Sequence, residues 1–593
     1  MNPLQNPSQQ QSVQQLLTQH LDIWTTAETE KKSGRGRASG NAGSVYGIKK
    51  LRELILELAV RGKLEPQDTN DEPASELLKR IQAEKTKLIL EGKLKKEKPQ
   101  APISEEEKPF ELPMGWEFVR LEAISDINGG FAFKSTNYTK DGVRVIRISD
   151  FDEKGFKDDK IVRYKYSNDL EQYRLAPNNI IMAMTGGTVG KCYLVKELIE
   201  DMVVNQRVAT IKFMSLVLPT YISNVLQTST VQRVIQEAKN STNDNISMLD
   251  IKDFFIPIPS LAEQHRIVAK VDELMALCDQ IEQQHSNAQE AHETMVSALL
   301  DPLTQSQNAA EFQSHWQRIA EHFDVLFTTE ASIDVLKQTL LQLAVMGKLV
   351  PQDPNDEPAS ELLKSIQAEK AQLIAEGKLK KEKPLTPITD DEKPFELPKG
   401  WEWVRFPELG EFARGKSKHR PRNDPSLFNP PIYPLVQTGE VARAGYVIEE
   451  FHSKYSEIGL QQSRMWAKGT LCITIAANIA DSAILGFDAC FPDSVVGFSP
   501  NTIINSAKYF LYFMKTARDD LLKFAPSTAQ KNINLEILES VLIPTPPLAE
   551  QHRIVAKVDA LMALCAQLKT HITKANQQQK KLADVLVEQA VAT

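Results

Sequence analysis

Cysteine is scarce in this chain of 593 residues, which holds only five. They are scattered, odd in number and never form a C-x-x-C pair: Cys192, Cys278, Cys472, Cys490 and Cys565. This pattern argues against a disulfide framework and against a zinc site, and it favours a reducing compartment. We therefore expect a cytoplasmic protein without a metal site.

Long apolar runs are also missing. No stretch approaches the ~18 residues that suggest a membrane span, and the opening stretch MNPLQNPSQQQSVQQ lacks the apolar core of a secretion signal. The net charge of −8 neither suggests nor excludes nucleic acid, because a DNA-binding surface needs only a local basic face. We expect no membrane contact.

Catalytic motifs are absent as well. TGGTVGKC at Thr185 looks like a phosphate-binding loop, but the pattern G-x-x-x-x-G-K-[ST] requires Gly at its first position and Ser or Thr at its last. NPPI at Asn429 lacks the aromatic residue of N-P-P-[YF] that would stack a flipped base. No helicase motif, H-E-x-x-H or nuclease carboxylate–lysine cluster is found. We expect no catalytic residue.

The sequence does contain a long internal repeat. LAEQHRIVAKVDELMALC from Leu261 returns as LAEQHRIVAKVDALMALC from Leu548. KPFELPMGWEFVR from Lys108 returns as KPFELPKGWEWVR from Lys393. A helical module that ends in GKLKKEKP also occurs twice, whereas the interiors (roughly 120–244 and 405–531) barely align. The scaffold and the interiors have therefore met different demands.

The order of these parts is circular, because the two ends of the chain together make one copy of the central block. This suggests a pseudo-twofold molecule with neighbouring termini. The predicted segments are an N-terminal conserved region with the helical module (1–107), a first variable domain (108–260), a central conserved region (261–392), a second variable domain (393–547) and a C-terminal conserved helix (548–593).

Each variable interior mixes short β-prone runs with turns and finishes with a helical stretch. VRVIRIS from Val143 and TLCITIAANIADSAIL from Thr470 are examples of such runs. This mixture predicts an α+β fold for both domains.

A long helix follows the proline-rich exit of each variable domain. Its apolar residues step by four and three over more than four heptads, which is typical of a coiled-coil seam. The first seam is Ile267, Val271, Leu274, Cys278, Ile281, His285, Ala288, His292, Met295 and Leu299, and the second is Ile554, Val558, Leu561, Cys565, Leu568, Ile572, Ala575, Gln579, Leu582 and Leu586. We expect an antiparallel two-helix spacer that separates the domains; the alternative is that each helix packs on its own domain.

Polar residues of the repeated string recur although a seam needs only its apolar positions. The recurring residues are Glu263, Gln264, His265, Arg266 and Lys270, and again Glu550, Gln551, His552, Arg553 and Lys557. Repeated polar identity predicts one type of protein partner bound twice. Helix capping and a solvated face are the alternative explanation.

Two loop-like runs carry side chains suited to DNA. Arg and Lys neutralise phosphates, and Arg can also bond guanine in the major groove. The run from Ala413 offers Arg414, Lys416, Ser417, Lys418, His419, Arg420 and Arg422. Its counterpart from Gly129 offers Lys134, Ser135, Thr136, Asn137 and Tyr138. We predict that both runs face DNA; an ordinary solvated loop is the alternative for each.

These motifs resemble the specificity subunit of type I restriction–modification enzymes. Each variable segment opens with GW-x-x-V-R and closes with IP-x-P-x-LAEQHRIV-x-K-V-D. The resemblance spans essentially the whole chain, and the long GKL…KEKP repeat looks most like the type IB group of EcoAI and EcoEI.

The resemblance implies a non-catalytic subunit with two target-recognition domains, each reading one half of a split, asymmetric DNA target. It also implies that two methyltransferase subunits dock on the conserved regions and that two restriction subunits complete the enzyme. S-adenosylmethionine, ATP and Mg²⁺ would belong to those partners, which would carry out adenine methylation and ATP-dependent cleavage.

Two other classes of function compete with this hypothesis. A two-domain coiled-coil scaffold could bind two different proteins, and steep salt dependence of DNA binding would distinguish it from a DNA reader. A stand-alone methyltransferase or nuclease is disfavoured because its cofactor and nuclease motifs are missing.

Overall fold

The chain folds into two compact units, which we describe from a computed structural model. Unit 1 comprises Met1–Ala288 together with Ala575–Thr593, and unit 2 comprises Gln289–Lys574. Unit 1 therefore contains both ends of the chain, in agreement with the circular order of the repeat. The structure describes residues 19–27, 45–96, 101–241, 244–377, 385–419, 421–476, 478–523 and 533–592.

Helices and strands alternate through both units. The helices are α1 (Leu21–Thr26), α2 (Tyr46–Val60), α3 (Ala74–Leu90), α4 (Leu121–Ile124), α5 (Pro219–Leu226), α6 (Ser229–Ser241), α7 (Met248–Lys252), α8 (Leu261–Gln305), α9 (Ala309–Glu321), α10 (Phe323–Leu326), α11 (Glu330–Val345), α12 (Ala359–Ala375), α13 (Phe406–Leu409), α14 (Thr438–Arg443), α15 (Glu457–Gln461), α16 (Lys508–Lys523), α17 (Leu535–Ser540) and α18 (Leu548–Ala592).

The strands are short, from two to six residues. In unit 1 they are β1 (Glu117–Arg120), β2 (Ser125–Gly129), β3 (Val143–Ile146), β4 (Phe151–Asp152), β5 (Gly155–Phe156), β6 (Arg163–Tyr164), β7 (Ile180–Ala183), β8 (Cys192–Leu194), β9 (Met202–Val204), β10 (Val208–Phe213) and β11 (Phe255–Ile258). In unit 2 they are β12 (Glu402–Arg405), β13 (Gly410–Arg414), β14 (Tyr433–Leu435), β15 (Val447–Ile448), β16 (Ser453–Tyr455), β17 (Met465–Trp466), β18 (Leu471–Thr474), β19 (Ser482–Leu485), β20 (Ala489–Cys490), β21 (Val495–Pro500) and β22 (Leu542–Thr545).

The two variable domains share one strand topology although their sequences barely align. In unit 1 one sheet has the order β2-β10-β7-β8 and another the order β6-β3-β9. In unit 2 the corresponding orders are β13-β21-β18-β19-β15 and β16-β14-β20-β17, so each sheet gains one edge strand. A further antiparallel pair joins the opening and closing strands of each domain, β1 with β11 and β12 with β22. The predicted α+β fold with two repeated domains is confirmed.

The central strands of the larger sheets are buried along their whole length. All four residues of β7 and all four of β18 are buried. Uninterrupted apolar strands of this kind need cover on both faces, which the second sheet and the helices provide. The cross-strand register is matched in the two domains, with Ile127 opposite Ile211 in one and Phe412 opposite Phe498 in the other.

The predicted long helices are present as α8 and α18, each of 45 residues. Ser260 caps the N-terminus of α8: its hydroxyl accepts a hydrogen bond from the Glu263 backbone N–H at 2.9 Å. Residues 261–288 of α8 belong to unit 1 and the rest to unit 2, whereas α18 is divided in the opposite sense at residue 575. Each unit therefore holds the beginning of one long helix and the end of the other.

The heptad seam is correct in the first half of each helix and wrong further along. Ile267 and Ile554 are buried as predicted, but Met295 and Leu582 are 39% and 48% exposed. The buried residues at that level are Val296 and Ala583, one position later. A straight α-helix drifts by ~20° per heptad from a 3.5-residue repeat, so four heptads move the buried stripe by nearly one residue.

A two-helix module from the repeat packs beside the long helices in each unit. In unit 1, Arg52 on α2 pairs with Asp279 and Glu282 on α8, at 2.6 and 2.8 Å. In unit 2, Lys569 on α18 pairs with Asp334 on α11 at 2.9 Å. The apolar faces of the long helices are therefore covered partly by these modules.

The two module copies differ at one coupled pair of positions. Glu57 is buried in unit 1, where it lies 3.5 Å from Arg61 and accepts a hydrogen bond from the backbone N–H of Ser229 at the start of α6. The aligned residues of unit 2 are Gln342, which is exposed, and Met346. At the place of α5 and α6 the described residues of unit 2 contain α16, and among them no helix start like that of α6 lies beside the module.

Candidate functional site

The two predicted DNA-facing loops occupy equivalent places in their domains. The first leaves the end of β2 and the second leaves the end of β13. The Gly130 N–H donates to the Val208 carbonyl at 3.2 Å, and the Gly415 N–H donates to the Val495 carbonyl at 2.8 Å. Val208 and Val495 begin the matching strands β10 and β21, so the backbone anchors both loops in the same way.

Glycine is required at both anchors because the chain passes very close to another backbone segment. A Cβ at Gly130 would lie 2.3 Å from the carbonyl oxygens of Val204 and Asn205. A Cβ at Gly415 would lie 2.3 Å from two carbonyl oxygens of the matching segment, those of Phe491 and Pro492. The same contact in both domains shows that the loops correspond, which the sequences alone do not show.

The first loop presents polar side chains to solvent. Lys134 is exposed, and no hydrogen bond or ion pair to its ammonium group occurs among the described residues. Residues 135–137 form an exposed 3-10 turn in which the Thr136 hydroxyl donates to the Asn137 side-chain oxygen at 3.1 Å. Tyr138 is half-buried against the cluster that contains Val143. Lys134 and the turn are thus available to a ligand.

Two arginines of the second loop, Arg414 and Arg422, are held by a single aspartate. The Arg414 guanidinium donates to the backbone carbonyl of Asp493 at 2.9 and 2.7 Å. The Arg422 guanidinium donates to both carboxylate oxygens of the same residue, at 2.9 and 2.8 Å. Asp493 thereby holds two loop positions that are eight residues apart.

The middle of the second loop is fixed through its backbone, and its lysines remain outside. The Lys418 and His419 N–H groups donate to the Gln462 side-chain oxygen at 2.7 and 3.2 Å. The Ser417 hydroxyl forms a hydrogen bond with the Tyr455 hydroxyl. Lys416 and Lys418 are exposed, and their ammonium groups have no partner within the described ranges. Arg420 lies outside the described residues.

His419 lies against an acidic group of the same loop. Its ring nitrogen Nε2 is 2.8 Å from the Asp424 carboxylate. The pKa of Asp424 is lowered to about 2, mainly by hydrogen bonds from the backbone N–H and side chain of Ser426 and further by His419. Asp424 is therefore a constant negative charge that closes the end of the loop.

A short turn beside each loop was missed by sequence reasoning; we call it the edge turn. It comprises residues 205–207 between β9 and β10, and residues 492–494 between β20 and β21. The Gln206 N–H donates to the Phe131 carbonyl at 2.9 Å, which joins the turn to the first loop. Arg207 is exposed and its guanidinium has no partner in the described part of the chain. Only the shared strand order, not the sequence pattern, makes the two turns comparable.

The repeated polar residues of the long helices form an internal structure at the base of each domain, which we call the seat. It comprises Asp71, Trp116, Glu263 and Arg266 in unit 1, and Asp356, Trp401, Glu550 and Arg553 in unit 2. The Trp indole N–H donates to the Glu carboxylate at 3.0 Å in both units. The Arg and Asp side chains pair at 2.6 Å in both units.

The neighbouring glutamines also serve the fold. Gln264 and Gln551 are buried at 1% and 3% exposure. Their amides donate to the carbonyls of Pro259 and Pro546 at 3.3 and 3.0 Å. Each glutamine thus ties the first turn of its long helix to the proline exit that precedes it.

Burial and ion pairing shift the carboxylates of the seat in opposite directions. Burial raises the pKa of Glu263 and of Glu550 above the ordinary value, and the Trp N–H opposes that shift. Hydrogen bonds from Arg266 lower the pKa of Asp71. In unit 1 the seat therefore contains an aspartate, Asp71, that favours its charged form and a glutamate, Glu263, that favours its neutral form.

The predicted partner-binding residues accordingly divide into two groups. The Glu, Gln and Arg residues make the internal contacts just described, which accounts for their repetition. His265, His552 and Lys557 are exposed, while Lys270 is half-buried and pairs with Glu273 at 3.0 Å. These four positions present repeated polar side chains to the surface.

No described helix is long and apolar enough to cross a membrane. In the same ranges no cluster of three or more His, Cys, Asp or Glu side chains could hold a metal ion.

The sequence matches the family described as type I restriction modification DNA specificity domain over residues 113–290 and 398–576. The EcoAI specificity subunit of a type I restriction enzyme from Escherichia coli is 40% identical over 617 aligned positions, covering 98% of this chain and all of that protein. The EcoEI specificity subunit of the same species is 39% identical over 618 positions, with the same coverage. A solved chain from work on assembly and conformational transition of a type I system is 18% identical, with a TM-score of 0.49, covering 82% of this chain and 99% of that one.

Proposed function

The chain belongs to the type I restriction–modification specificity family, and from this membership we propose that each of its variable domains reads one half of a bipartite DNA target. The chain is a DNA sequence-specificity subunit of the EcoAI and EcoEI type. The observation that supports the half-target proposal is the pair of equivalent loops at Gly130 and Gly415, one in each domain.

The side chains of the two loops suit two different half-targets. The first loop offers one lysine and a set of hydroxyl and amide groups, which can contact phosphates and base edges. The second offers Lys416 and Lys418 for phosphates and arginines for phosphate or guanine. Different side chains on equivalent anchors would give an asymmetric target.

The chemistry of modification and cleavage belongs, in this proposal, to partner subunits. Two methyltransferase subunits would supply S-adenosylmethionine and methylate adenine, and two restriction subunits would use ATP and Mg²⁺ to cleave DNA. This chain would contribute no catalytic residue and would direct the partners to the target.

The exposed part of the repeated helix string is the proposed docking surface for the methyltransferase subunits. His265 and His552 occur at the same place in α8 and α18, next to a seat that fixes both helices identically. A partner that recognises one copy would recognise the other. Replacing both histidines by Ala should weaken the methyltransferase complex more than either single change, as measured by titration of the purified subunits.

The proposal is tested by sequencing methylated DNA from cells that express this chain with its methyltransferase subunit. We expect a split motif with adenine methylation in both halves that disappears when this chain is deleted. Methylation that persists without this chain would contradict a specificity role and favour a scaffold that binds two proteins.

Loop variants assign the halves of the motif to the domains. The double change Lys416→Gln and Lys418→Gln should weaken recognition of the half-target read by the second domain and so reduce methylation. Lys134→Gln should do the same for the half-target read by the first domain. Glu449→Gln, which changes an exposed charge after β15, is the control. Equal loss with all three variants would contradict the assignment.

A further inference from the structure

The edge turn carries opposite charge in the two domains. Through the shared strand order and the shared anchor contacts, Gln206 of the first domain corresponds to Asp493 of the second. The first turn reads Asn-Gln-Arg and the second reads Pro-Asp-Ser. The loop beside the first turn holds a single lysine, whereas the loop beside the second holds a cluster of basic residues.

In the first domain the turn itself supplies the cation. Gln206 and Arg207 are exposed, and no side-chain acceptor within the described residues holds the Arg207 guanidinium. The Arg207 backbone N–H donates to the Asn205 side-chain oxygen at 3.2 Å, and its carbonyl accepts from the Met184 N–H at 3.0 Å. The backbone of the turn is therefore fixed while the guanidinium is free to bind a ligand.

In the second domain the turn supplies an anion instead, and the anion orients cations of the loop. Asp493 is bonded to Arg422 through both carboxylate oxygens and to Arg414 through its backbone carbonyl. Both bonds come from one terminal nitrogen of Arg422, so the charge-assisted pair fixes the position of that nitrogen beside Asp493. The Arg422 guanidinium is therefore held next to the edge turn.

We propose that the edge turn is a second DNA-recognition element in each domain. Gln206 and Arg207 contact DNA directly in the first domain. Asp493 is a positioning residue in the second, where it holds Arg422 in the orientation that reads its half-target. This inference rests on the proposed function and adds residues that the loops alone do not include.

The two turns should consequently respond to charge removal with opposite sign. Loss of a phosphate contact lowers the magnitude of the slope of log K against log [salt] by ~0.9. Arg207→Gln removes one cation that faces DNA, so the slope should become shallower by about 1 and affinity should fall. Asp493→Asn releases Arg422 from its carboxylate, so binding to non-target DNA should tighten and its slope should steepen by about 1.

The experiment uses the complex of the full chain with its methyltransferase subunit. Binding to a target duplex and to a scrambled duplex is measured by fluorescence anisotropy at several salt concentrations. Lys196→Gln and Glu449→Gln are the matched controls, because both residues are exposed and follow strands at the end of the sheet away from the edge turn. We expect no change of slope in either control.

A double-mutant cycle separates positioning from a structural role. If Asp493 acts through Arg422, Asp493→Asn should reduce the ratio of target to scrambled affinity in the native background by about tenfold or more. It should have little effect when Arg422→Gln is already present. A purely structural role would instead lower binding to both duplexes and would persist in the Arg422→Gln background, which would overturn the proposal.

The remaining outcomes are also decisive. If the native complex does not prefer its target over the scrambled duplex, the proposed function itself fails. If it does prefer the target while Arg207→Gln and Asp493→Asn behave like their controls, only the role of the edge turn is refuted.

Discussion

The seat is the same in the two units, whereas the edge turn differs between them. The seat keeps the same four residues and the same distances, 3.0 Å for Trp–Glu and 2.6 Å for Arg–Asp, in both units. The edge turn keeps two backbone hydrogen bonds and reverses its charge: Val208 N–H to the Asn205 carbonyl matches Val495 to Pro492, and Met184 N–H to the Arg207 carbonyl matches Ile475 to Ser494. Residue identity is retained in the seat, where side chains attach the domain to its long helix. It is lost in the edge turn, where backbone hydrogen bonds hold the exposed residues in place.

The reason is physical. Trp116 and Glu263 are buried and hydrogen-bonded to each other, so loss of either side chain leaves the other without its partner. Arg207 and Asp493 lie on turns whose backbone is hydrogen-bonded in both domains, so their side chains can change without loss of the fold. Comparison of the two units therefore distinguishes buried residues that serve the fold from surface residues that are free to vary.

The strongest test of this comparison is to remove the indole of the seat. Trp116→Ala and Trp401→Ala should each destabilise their own unit by ~3–5 kcal/mol, because a buried aromatic ring is lost and a buried carboxylate loses its donor. Hydrogen exchange measured by mass spectrometry reports each unit separately. Trp316→Ala, at 36% exposure, is the control and should cost far less. A large difference between the two seat variants would break the equivalence of the seats.

The coupled pair in the modules gives the next largest effect. Arg61→Met should destabilise unit 1 by ~2–3 kcal/mol, because it leaves the buried Glu57 carboxylate without its cation. Adding Glu57→Gln should restore most of that loss, since the neutral amide oxygen can still accept from the Ser229 N–H. Denaturation of the single and double variants gives the coupling energy. If the two effects are additive, the replacement of Glu57 and Arg61 by Gln342 and Met346 in unit 2 does not reflect coupling between the two positions.

The loop anchors should respond equally in the two domains. Gly130→Ala and Gly415→Ala each place a Cβ against two carbonyl oxygens, so the loop must shift at a cost of ~1–3 kcal/mol. We expect weaker binding to the target by a similar factor for both, measured by anisotropy with the methyltransferase complex. Gly187→Ala, in a turn with open space around the Cα, is the control. Unchanged binding with both anchor variants would contradict a role of the loops in DNA binding.

The smallest expected effect is a pH dependence of the seat. Burial raises the pKa of Glu263 above its ordinary value of 4.5, so the folded state binds more protons than the unfolded state just above that pH. The free energy of unfolding should therefore fall as the pH rises through that window. Glu263→Gln should flatten this decline, because the amide has no proton to lose and its oxygen still accepts from Trp116. Glu550→Gln should flatten it to a similar degree in unit 2; an unchanged slope in both would contradict the assignment.

The sequence predicted the fold to the extent that residues were repeated. The string at Leu261 and Leu548 identified the long helices, and the GW motif identified where each domain begins. It predicted the seam only near the start of each helix, because small angular drift accumulates along a straight helix until Val296 replaces Met295. The sequence does not reveal that Glu263 accepts a hydrogen bond from Trp116, because the two residues are 147 positions apart.

The sequence predicts the two candidate DNA-facing loops but not the edge turns. Lys416 and Lys418 lie in a basic run that is visible in the sequence. Asp493 is a lone acidic residue 71 positions after Arg422, and its role emerges only when β13 and β21 pair. Arg207 has no basic neighbour to mark it.

The glycine anchors have a consequence for how such a protein can diversify. Each loop is attached through a glycine N–H and a strand carbonyl, groups that every sequence supplies provided glycine is kept. The backbone attachment of a new loop can therefore be inherited unchanged, while side-chain partners such as Asp493 and Gln462 change together with the loop. Selection can thus alter the loop and its few side-chain partners while the strand and the glycine to which the loop is attached stay the same.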